Sequence, residues 1–305
     1  MSADLGYDLE EALQLRAPKI SMKGIESLRA SLSKSEQVPK SITDKLLALF
    51  LDASDGRVDV AKNTVEIYYE TKANAPEHFV LRDPQCSEIQ QCLANQHYFI
   101  LPPKDGCYVI FHQVSNSKPS NYYFDNAIKT FFMSIDICLH KYGPQRGLIF
   151  LFDMRHVRIG HLTRVRVSTI RKFFRYLQDG LPAKLCEIHV LNVVSFFDKI
   201  LHLIKPFMRA EIFKVLHTYP SDCNMEDFYN VLPKSGLPSD YGGDLAMSVD
   251  ELHEEFKNEY YNLRDYFRAE EEQRGFYWDK LNNSKNKKKK DDEQVIQNFQ
   301  KLDID

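Results

Sequence analysis

The stretch Glu187-Ile188-His189-Val190-Leu191-Asn192-Val193-Val194-Ser195-Phe196-Phe197-Asp198-Lys199-Ile200-Leu201-His202-Leu203-Ile204-Lys205-Pro206-Phe207-Met208 decides how this chain reads. Its first part, Ile188 to Val194, is a short, largely aliphatic run of the kind that forms a buried strand. Its second part, Phe196 to Met208, reads as a helix that follows at once, and eight of its thirteen residues are apolar. Those residues fall on more than one face, whereas an ordinary surface helix carries a single apolar stripe. The second apolar face needs a cover, and a lipid-like ligand is a candidate for it.

Upstream, Leu148 to Phe152 is another buried strand, entered through the breaker Tyr142-Gly143-Pro144-Gln145-Arg146-Gly147. Leu162 to Leu177 has helical spacing, and Leu185 to Val194 is the next strand. Strand, helix and strand in that order make a βαβ unit, whose two strands should be parallel and joined by a right-handed crossover. Tyr98–Leu101 and Cys107–Phe111 flank Pro102-Pro103-Lys104-Asp105-Gly106, a hairpin signature. Phe124 to His140 reads as a helix. Nearer the N-terminus, a short helix fits Leu9 to Leu15. Ser41-Ile42-Thr43-Asp44 offers cap oxygens for a helix carrying Leu46, Leu47, Phe50 and Leu51, and Val58 to Lys72 is a further helix. The class is α/β behind a small all-helical N-terminal domain. Ser248-Val249-Asp250-Glu251 is a capping box opening a polar helix that reaches toward Arg274. The lysine run from Ser284 to Lys290 reads as a linker, and the apolar residues Val295 to Ile304 are candidates to dock back on the body.

Composition narrows the function. The chain has 305 residues, 43% of them hydrophobic and 27% charged, with a net charge of −3. That balance argues against nucleic-acid binding, which needs a strong basic field. No signal peptide and no apolar run of transmembrane length is visible, so a soluble, cytoplasmic protein is expected. Cys86, Cys92, Cys107, Cys138, Cys186 and Cys223 lack C-x-x-C spacing and read as free thiols. No G-x-G, G-x-x-x-x-G-K or G-x-S-x-G pattern occurs, and Lys257 stands where a zinc helix starting at His253 would need its second histidine. His156 and His161 lie among Arg155, Arg158 and Arg164, a setting that disfavours a metal cation and suggests a solvated loop. Asp153, at the end of a strand, either serves a site or simply caps the turn or pairs with a nearby arginine. Arg164, Arg171 and Arg175 share one face of the crossover helix, either as a solvated face or as a contact for an anionic membrane.

Leu181-Pro-Ala-Lys-Leu-Cys-Glu-Ile-His-Val-Leu-Asn192, Phe197, Ile204-Lys205-Pro206-Phe207 and Leu237-Pro-Ser-Asp-Tyr-Gly-Gly243, taken in order, resemble the CRAL-TRIO lipid-binding domain. Gly147 to Asp153 looks like its central strand. Phe50-Leu51-x-Ala53 with Val58-Asp59-Val60-Ala61 looks like its helical companion. The branch most similar is that of the vitamin E and retinaldehyde carriers. The resemblance implies a mixed, mostly parallel sheet whose covering helices form a lipid cage. It divides the chain into an extension (1–35), a helical domain (36–85), the lipid-binding domain (90–250) and a C-terminal helix with a lysine-rich tail (251–305).

It also implies a ligand pocket lined by Thr130, Phe131, Ser134, Leu148, Phe152, Ile159, Val165, Phe173, Tyr176, Leu177, Leu185 and Ile188. Thr130, Ser134 and Tyr176 are alternative partners for the ligand's polar end. Phe197, Ile200, Leu201, Ile204 and Phe207 form a mobile gate. Of the positions where vitamin E carriers are basic, Lys184 matches while Cys186, Glu211 and Val215 do not; Lys184, with Lys205, Arg209, Lys214 or the lysine tail as substitutes, is the candidate headgroup or membrane contact. The implied function is binding and transfer of a small isoprenoid such as a retinoid, carotenoid or tocopherol, without catalysis, cofactor or metal. The implied partners are the lipophile and a transient, anionic membrane surface, with the protein a monomer. Phosphatidylinositol or other phospholipid transfer by the same fold is the alternative.

Overall fold

The structure is a computed structural model and describes residues 3–275. The lysine run Ser284–Lys290 and the apolar segment 295–304 lie outside the described residues. Helices Leu9–Leu15, Asp44–Ala53 and Val58–Asn74 form where the apolar spacing predicts them. Thr43 is the cap of the second, its side chain accepting the Leu46 N–H at 3.2 Å. A further helix, Met22–Leu32, was not expected; Ile25, Leu28 and Leu32 are buried on its one apolar face.

Five strands follow: β1 (Gln96–Lys104), β2 (Cys107–Val114), β3 (Gly147–Asp153), β4 (Leu185–Val193) and β5 (Leu216–Pro220). They lie in the order β1-β2-β3-β4-β5, with β1/β2 antiparallel and every other pair parallel. The hairpin turns at Asp105 and Gly106, both with positive φ (50° and 76°). This is the two-residue geometry that Asp-Gly supplies at little steric cost. Pro102 and Pro103 are tolerated because β1 is an edge strand, and the register shifts at that point.

Two expected helices differ from observation. The crossover between β3 and β4 is broken into Ile159–Leu162, Val167–Arg175 and a wider turn, Tyr176–Gly180. Arg164 therefore precedes the main helix, and only Arg171 and Arg175 ride on it. The C-terminal helix Val249–Asn262 keeps its capping box, with Ser248 N–H donating to Glu251 at 2.8 Å, but it breaks at Leu263 before a second helix, 264–275. β5 has only Leu216 and Tyr219 as apolar residues and gave no clear signal in the sequence.

Strand alternation divides the core. The register places Ile110, Phe150, Ile188 and Leu216 side by side, and likewise His112, Phe152 and Val190. That face looks toward helix Phe124–Tyr142 and the crossover helix; Phe131 packs on Phe150 and Phe152 with ring centroids 5.0 and 5.4 Å apart. The opposite face, with Phe111 and His189, is covered by Phe228 and Tyr241 from the chain after β5.

Candidate functional site

Between the first face and its helices lies a cavity of about 280 Å3. Its floor is His112 and Val114 from β2, Phe150 and Phe152 from β3, Ile188 and Val190 from β4, and Leu216 from β5. One wall is Phe124, Ala127, Ile128 and Phe131, at the three- and four-residue spacing of a single helix face. A second wall is Ile170, Phe173, Phe174 and Leu177 of the crossover, and a third is the loop with Met154, Val157, His161, Leu162 and Val165.

The outer wall is the helix Phe197–Ile204 with its following tight turn Lys205–Phe207; Phe197, Ile200, Ile204 and Met208 face inward. None of the residues of this helix is fully buried, so it lies on the cavity as a cover. Pro206 has no N–H with which to continue the helix. Lys199 and His202 are exposed. Leu201 turns instead toward a neighbouring crevice with Phe213 and Thr218, which accounts for the second apolar face. Phe207 is half-buried beneath the Arg171 guanidinium, 5.6 Å from its ring centre.

Of the residues expected in the pocket, Phe131, Phe152, Val165, Phe173, Leu177 and Ile188 line this cavity, as do Phe197, Ile200 and Ile204 of the gate. The rest lie elsewhere. Thr130 and Ser134 are on another face of their helix: Thr130 Oγ1 donates to Asn126 O (2.9 Å), and Ser134 Oγ is 2.6 Å from the Tyr260 hydroxyl. Tyr176 is buried among Tyr68, Phe79 and Phe132 at the contact with the N-terminal domain. Ile159 is 52% exposed. Leu148 shares the floor's face and is buried but does not line the cavity. Leu185 is carried off by a bulge: Leu148 pairs with Leu185 but Ile149 with Glu187, so Cys186 is extra, and Leu185 opens into a separate crevice.

Among the basic candidates, Lys184 pairs with Asp55 (2.6 Å) and Arg209 with Asp179 (2.5 Å), whereas Lys205 lies over the Phe213 ring and Lys214 is exposed. His161 corrects the solvated-loop expectation, because it is buried against the cavity with its ring edge-on to Tyr122. The apolar neighbours Val157, Leu162 and Val165 draw that loop inward. Some lining residues were legible but unread: Val190 follows Ile188 by two, and Phe124, Ala127 and Ile128 precede Phe131 at helix spacing.

The cavity is electrostatically quiet. Burial pushes His112 down to about 3, so its ring is neutral, with Nε2 2.9 Å from Gln96 Oε1. Asp153 reaches the cavity edge at the end of β3, but its carboxylate oxygens are engaged within the protein. Its Oδ1 accepts from Arg155 N–H (2.7 Å) and Asn192 (2.8 Å), and its Oδ2 accepts from Gln113 (2.8 Å) and the Tyr241 hydroxyl. It caps the turn through Arg155 N–H and ties the strand ends to the segment Leu237–Gly243. Gly243 in that segment has no room for a side chain, since a Cβ would lie 2.0 Å from Leu237 O. A larger recess of about 660 Å3 lies between the N-terminal domain and helix 264–275, but Arg82, Asp83, Arg264 and Glu271 make it polar. No described helix is long and apolar enough to cross a membrane, and no described cluster of His, Cys, Asp and Glu is placed to hold a metal.

A largely apolar cavity beside a mixed sheet, closed by one superficial helix and with its one carboxylate already hydrogen-bonded, is suited to an uncharged hydrophobic molecule. The CRAL/TRIO domain model matches residues 97–243, the span that contains this sheet, cavity and cover. Residues 97–243 are a CRAL-TRIO domain. That CRAL-TRIO unit is preceded by a match to the Pinta-like UBA domain over residues 18–89. The human protein named "Alpha-tocopherol transfer protein-like" is 28% identical over 247 residues, covering 80% of this chain and 71% of the relative. Clavesin-1 of Rattus norvegicus is 21% identical over 181 residues, 58% of this chain and 50% of that protein. The crystal structure of Sfh5 aligns with 81% of this chain and 92% of its own at 13% identity and a TM-score of 0.47. CRAL-TRIO proteins bind and transfer lipophilic ligands.

Proposed function

We propose that this protein binds a small isoprenoid-like lipophile, such as a tocopherol, retinoid or carotenoid, in the 280 Å3 cavity and passes it between membranes. The observation that carries this reading is the wall chemistry: nearly every lining side chain is aliphatic or aromatic, and one helix without a buried residue closes the outer side. Each methylene taken from water into such a site contributes about 0.8 kcal/mol, so a hydrocarbon chain binds without any charged anchor. The name of the human relative supports the same class of cargo.

Release requires displacement of the helix Phe197–Ile204. Its inner face, Phe197, Ile200 and Ile204, would be bare in water, and a membrane interface accepts such a face. Transport needs no covalent step, and the protein acts as a monomeric, membrane-peripheral carrier in the cytoplasm. Exposed Lys199, His202 and Lys214 face the headgroups in that arrangement. Native mass spectrometry of the purified protein tests the cargo, and vesicle-to-vesicle transfer of a fluorescent isoprenoid tests the activity. A co-purifying or transferred isoprenoid is expected. A bound phospholipid in its place moves the protein to the phospholipid-exchange reading, and failure to take up either class refutes both.

A further inference from the structure

The loop between β3 and the crossover helix places a residue with an unsatisfied polar atom in the wall of the apolar cavity. His161 is 4% exposed, lines the cavity, and its Nε2 has no hydrogen-bond partner. Among the described residues it is the one cavity-lining side chain with a buried, unpartnered polar atom. The polar residues first expected to meet a ligand do not compete with it: Thr130 and Ser134 are bonded elsewhere, and Tyr176 lies outside the cavity.

The tautomer follows from the surroundings. His161 Nδ1 is 2.9 Å from the Arg158 backbone nitrogen and 3.0 Å from the Arg158 oxygen. That oxygen already accepts the backbone N–H of His161 at 2.9 Å. Nδ1 is therefore best used as the acceptor for the Arg158 N–H, which leaves the ring proton on Nε2. Burial lowers the basicity of this imidazole and keeps it neutral. A neutral ring offers no countercharge to a carboxylate, so its complement is an uncharged oxygen. The position is held on two sides: Tyr122 packs edge-on to the ring at 5.2 Å, and a Cβ on neighbouring Gly160 would come within 2.7 Å of Pro119 Cγ.

We propose that His161 Nε2–H donates a hydrogen bond to a single neutral acceptor oxygen (carbonyl, ester or hydroxyl) at the polar end of the bound lipophile, and so makes the cavity prefer oxygenated lipids over plain hydrocarbons. This assignment rests on the lipid-binding reading above. A hydrogen-bonding site rejects a ligand that lacks the matching group because its own buried donor is then left unpaired.

The test compares a medium-chain methyl ketone, the alcohol of the same skeleton and the parent alkane, titrated by calorimetry into the full chain as wild type, His161→Phe and His161→Gln. His161→Phe is expected to weaken the ketone and the alcohol about tenfold while changing the alkane little. His161→Gln, which keeps an N–H donor, is expected to recover part of that loss. The ratio of ketone to alkane affinity is read within one sample, so partial unfolding of a variant lowers both alike and leaves the ratio intact. Equal losses for ketone and alkane overturn the proposal by reducing His161 to packing. Loss for the alcohol without loss for the ketone also overturns it, because Nε2 would then be an acceptor. If wild type binds none of the three, the lipid-binding reading itself fails.

Discussion

Cys107 and Cys186 show how much a single glycine decides at the residue scale. They stand on β2 and β4 with β3 between them, yet their sulfurs are 3.1 Å apart. Gly147 leaves the gap open: a Cβ there would come within 2.4 Å of Cys186 Sγ. The Cys107 thiol donates to the Cys186 sulfur and, with Arg146 and Lys184 nearby, holds Cys186 down to about 7 against the opposing effect of burial. Burial alone pushes the fully enclosed Cys138 thiol upward. Near pH 7.5 a small alkylating agent should label Cys186 first and Cys138 last, and mild peroxide should convert the first pair to a disulfide through a sulfenic acid and loss of water. Peptide mapping that finds Cys138 labelled before Cys186 would contradict this geometry. The sequence shows six scattered cysteines; only the bulge at Cys186 and the absent side chain at Gly147 bring two of them together.

At the scale of elements, the cover helix is the part whose apolar character is most legible in the sequence. Its apolar excess was visible as spacing, and the structure divides that excess between the cavity (Phe197, Ile200, Ile204) and the crevice reached by Leu201. The latch at its far end was not legible. Gln178, in the turn after the crossover helix, donates to Phe207 O (3.1 Å) and accepts from Arg209 N–H (2.6 Å). Ile200→Asp puts a carboxylate on the inner face of a helix that contributes no fully buried residue to the fold. Transfer of a fluorescent lipophile between vesicles should fall by roughly tenfold or more, since a charged group in an apolar wall opposes closure over the ligand, while the melting temperature stays within a few degrees. Transfer at the wild-type rate would remove the helix from its role as a gate.

For the whole molecule, the N-terminal helices are held to the CRAL-TRIO unit by a buried ionic knot. Arg82 pairs with Asp136 (2.5 Å) and Glu270, Arg274 with Glu270 (3.0 Å), and Lys72 with Glu270 (3.2 Å) and the Tyr68 hydroxyl (2.7 Å). These residues come from helix Val58–Asn74, the linker after it, helix Phe124–Tyr142 and helix 264–275. Burial raises the cost of a charge on Glu270, but Arg274, Lys72 and Arg82 outweigh it and hold the carboxyl below the usual range. Glu270→Gln leaves three cations facing Asp136 alone and should cost about 3–5 kcal/mol in urea denaturation. Asp125, beside the crossover helix, is held at about 2 by His78, Thr169 and Arg166. Because both folded values are depressed, their stabilisation is complete above the unfolded carboxylate range near pH 4 and is lost as pH falls toward 2. For Asp125 this is on the order of 2 kcal/mol. Denaturation midpoints that stay level across that window would refute the coupling.

The sequence by itself determined the local structure: the helix periods, the Asp105-Gly106 hairpin, the parallel pair β3 and β4, and the apolar cover helix. The β3/β4 pair follows from the strand-helix-strand order; the other features depend on backbone preferences and spacing within a few residues, which neighbours in the chain specify. The tertiary structure alone decided which polar groups meet the cavity. Thr130 and Ser134 sit one helical face away from Phe131, and Tyr260, more than a hundred residues later, holds Ser134 there. His161 looked like part of a charged loop until Val157, Leu162 and Val165 carried it inward. Side-chain facing is settled by long-range packing, where segments distant in sequence compete for the same space, and a one-dimensional pattern does not contain that competition.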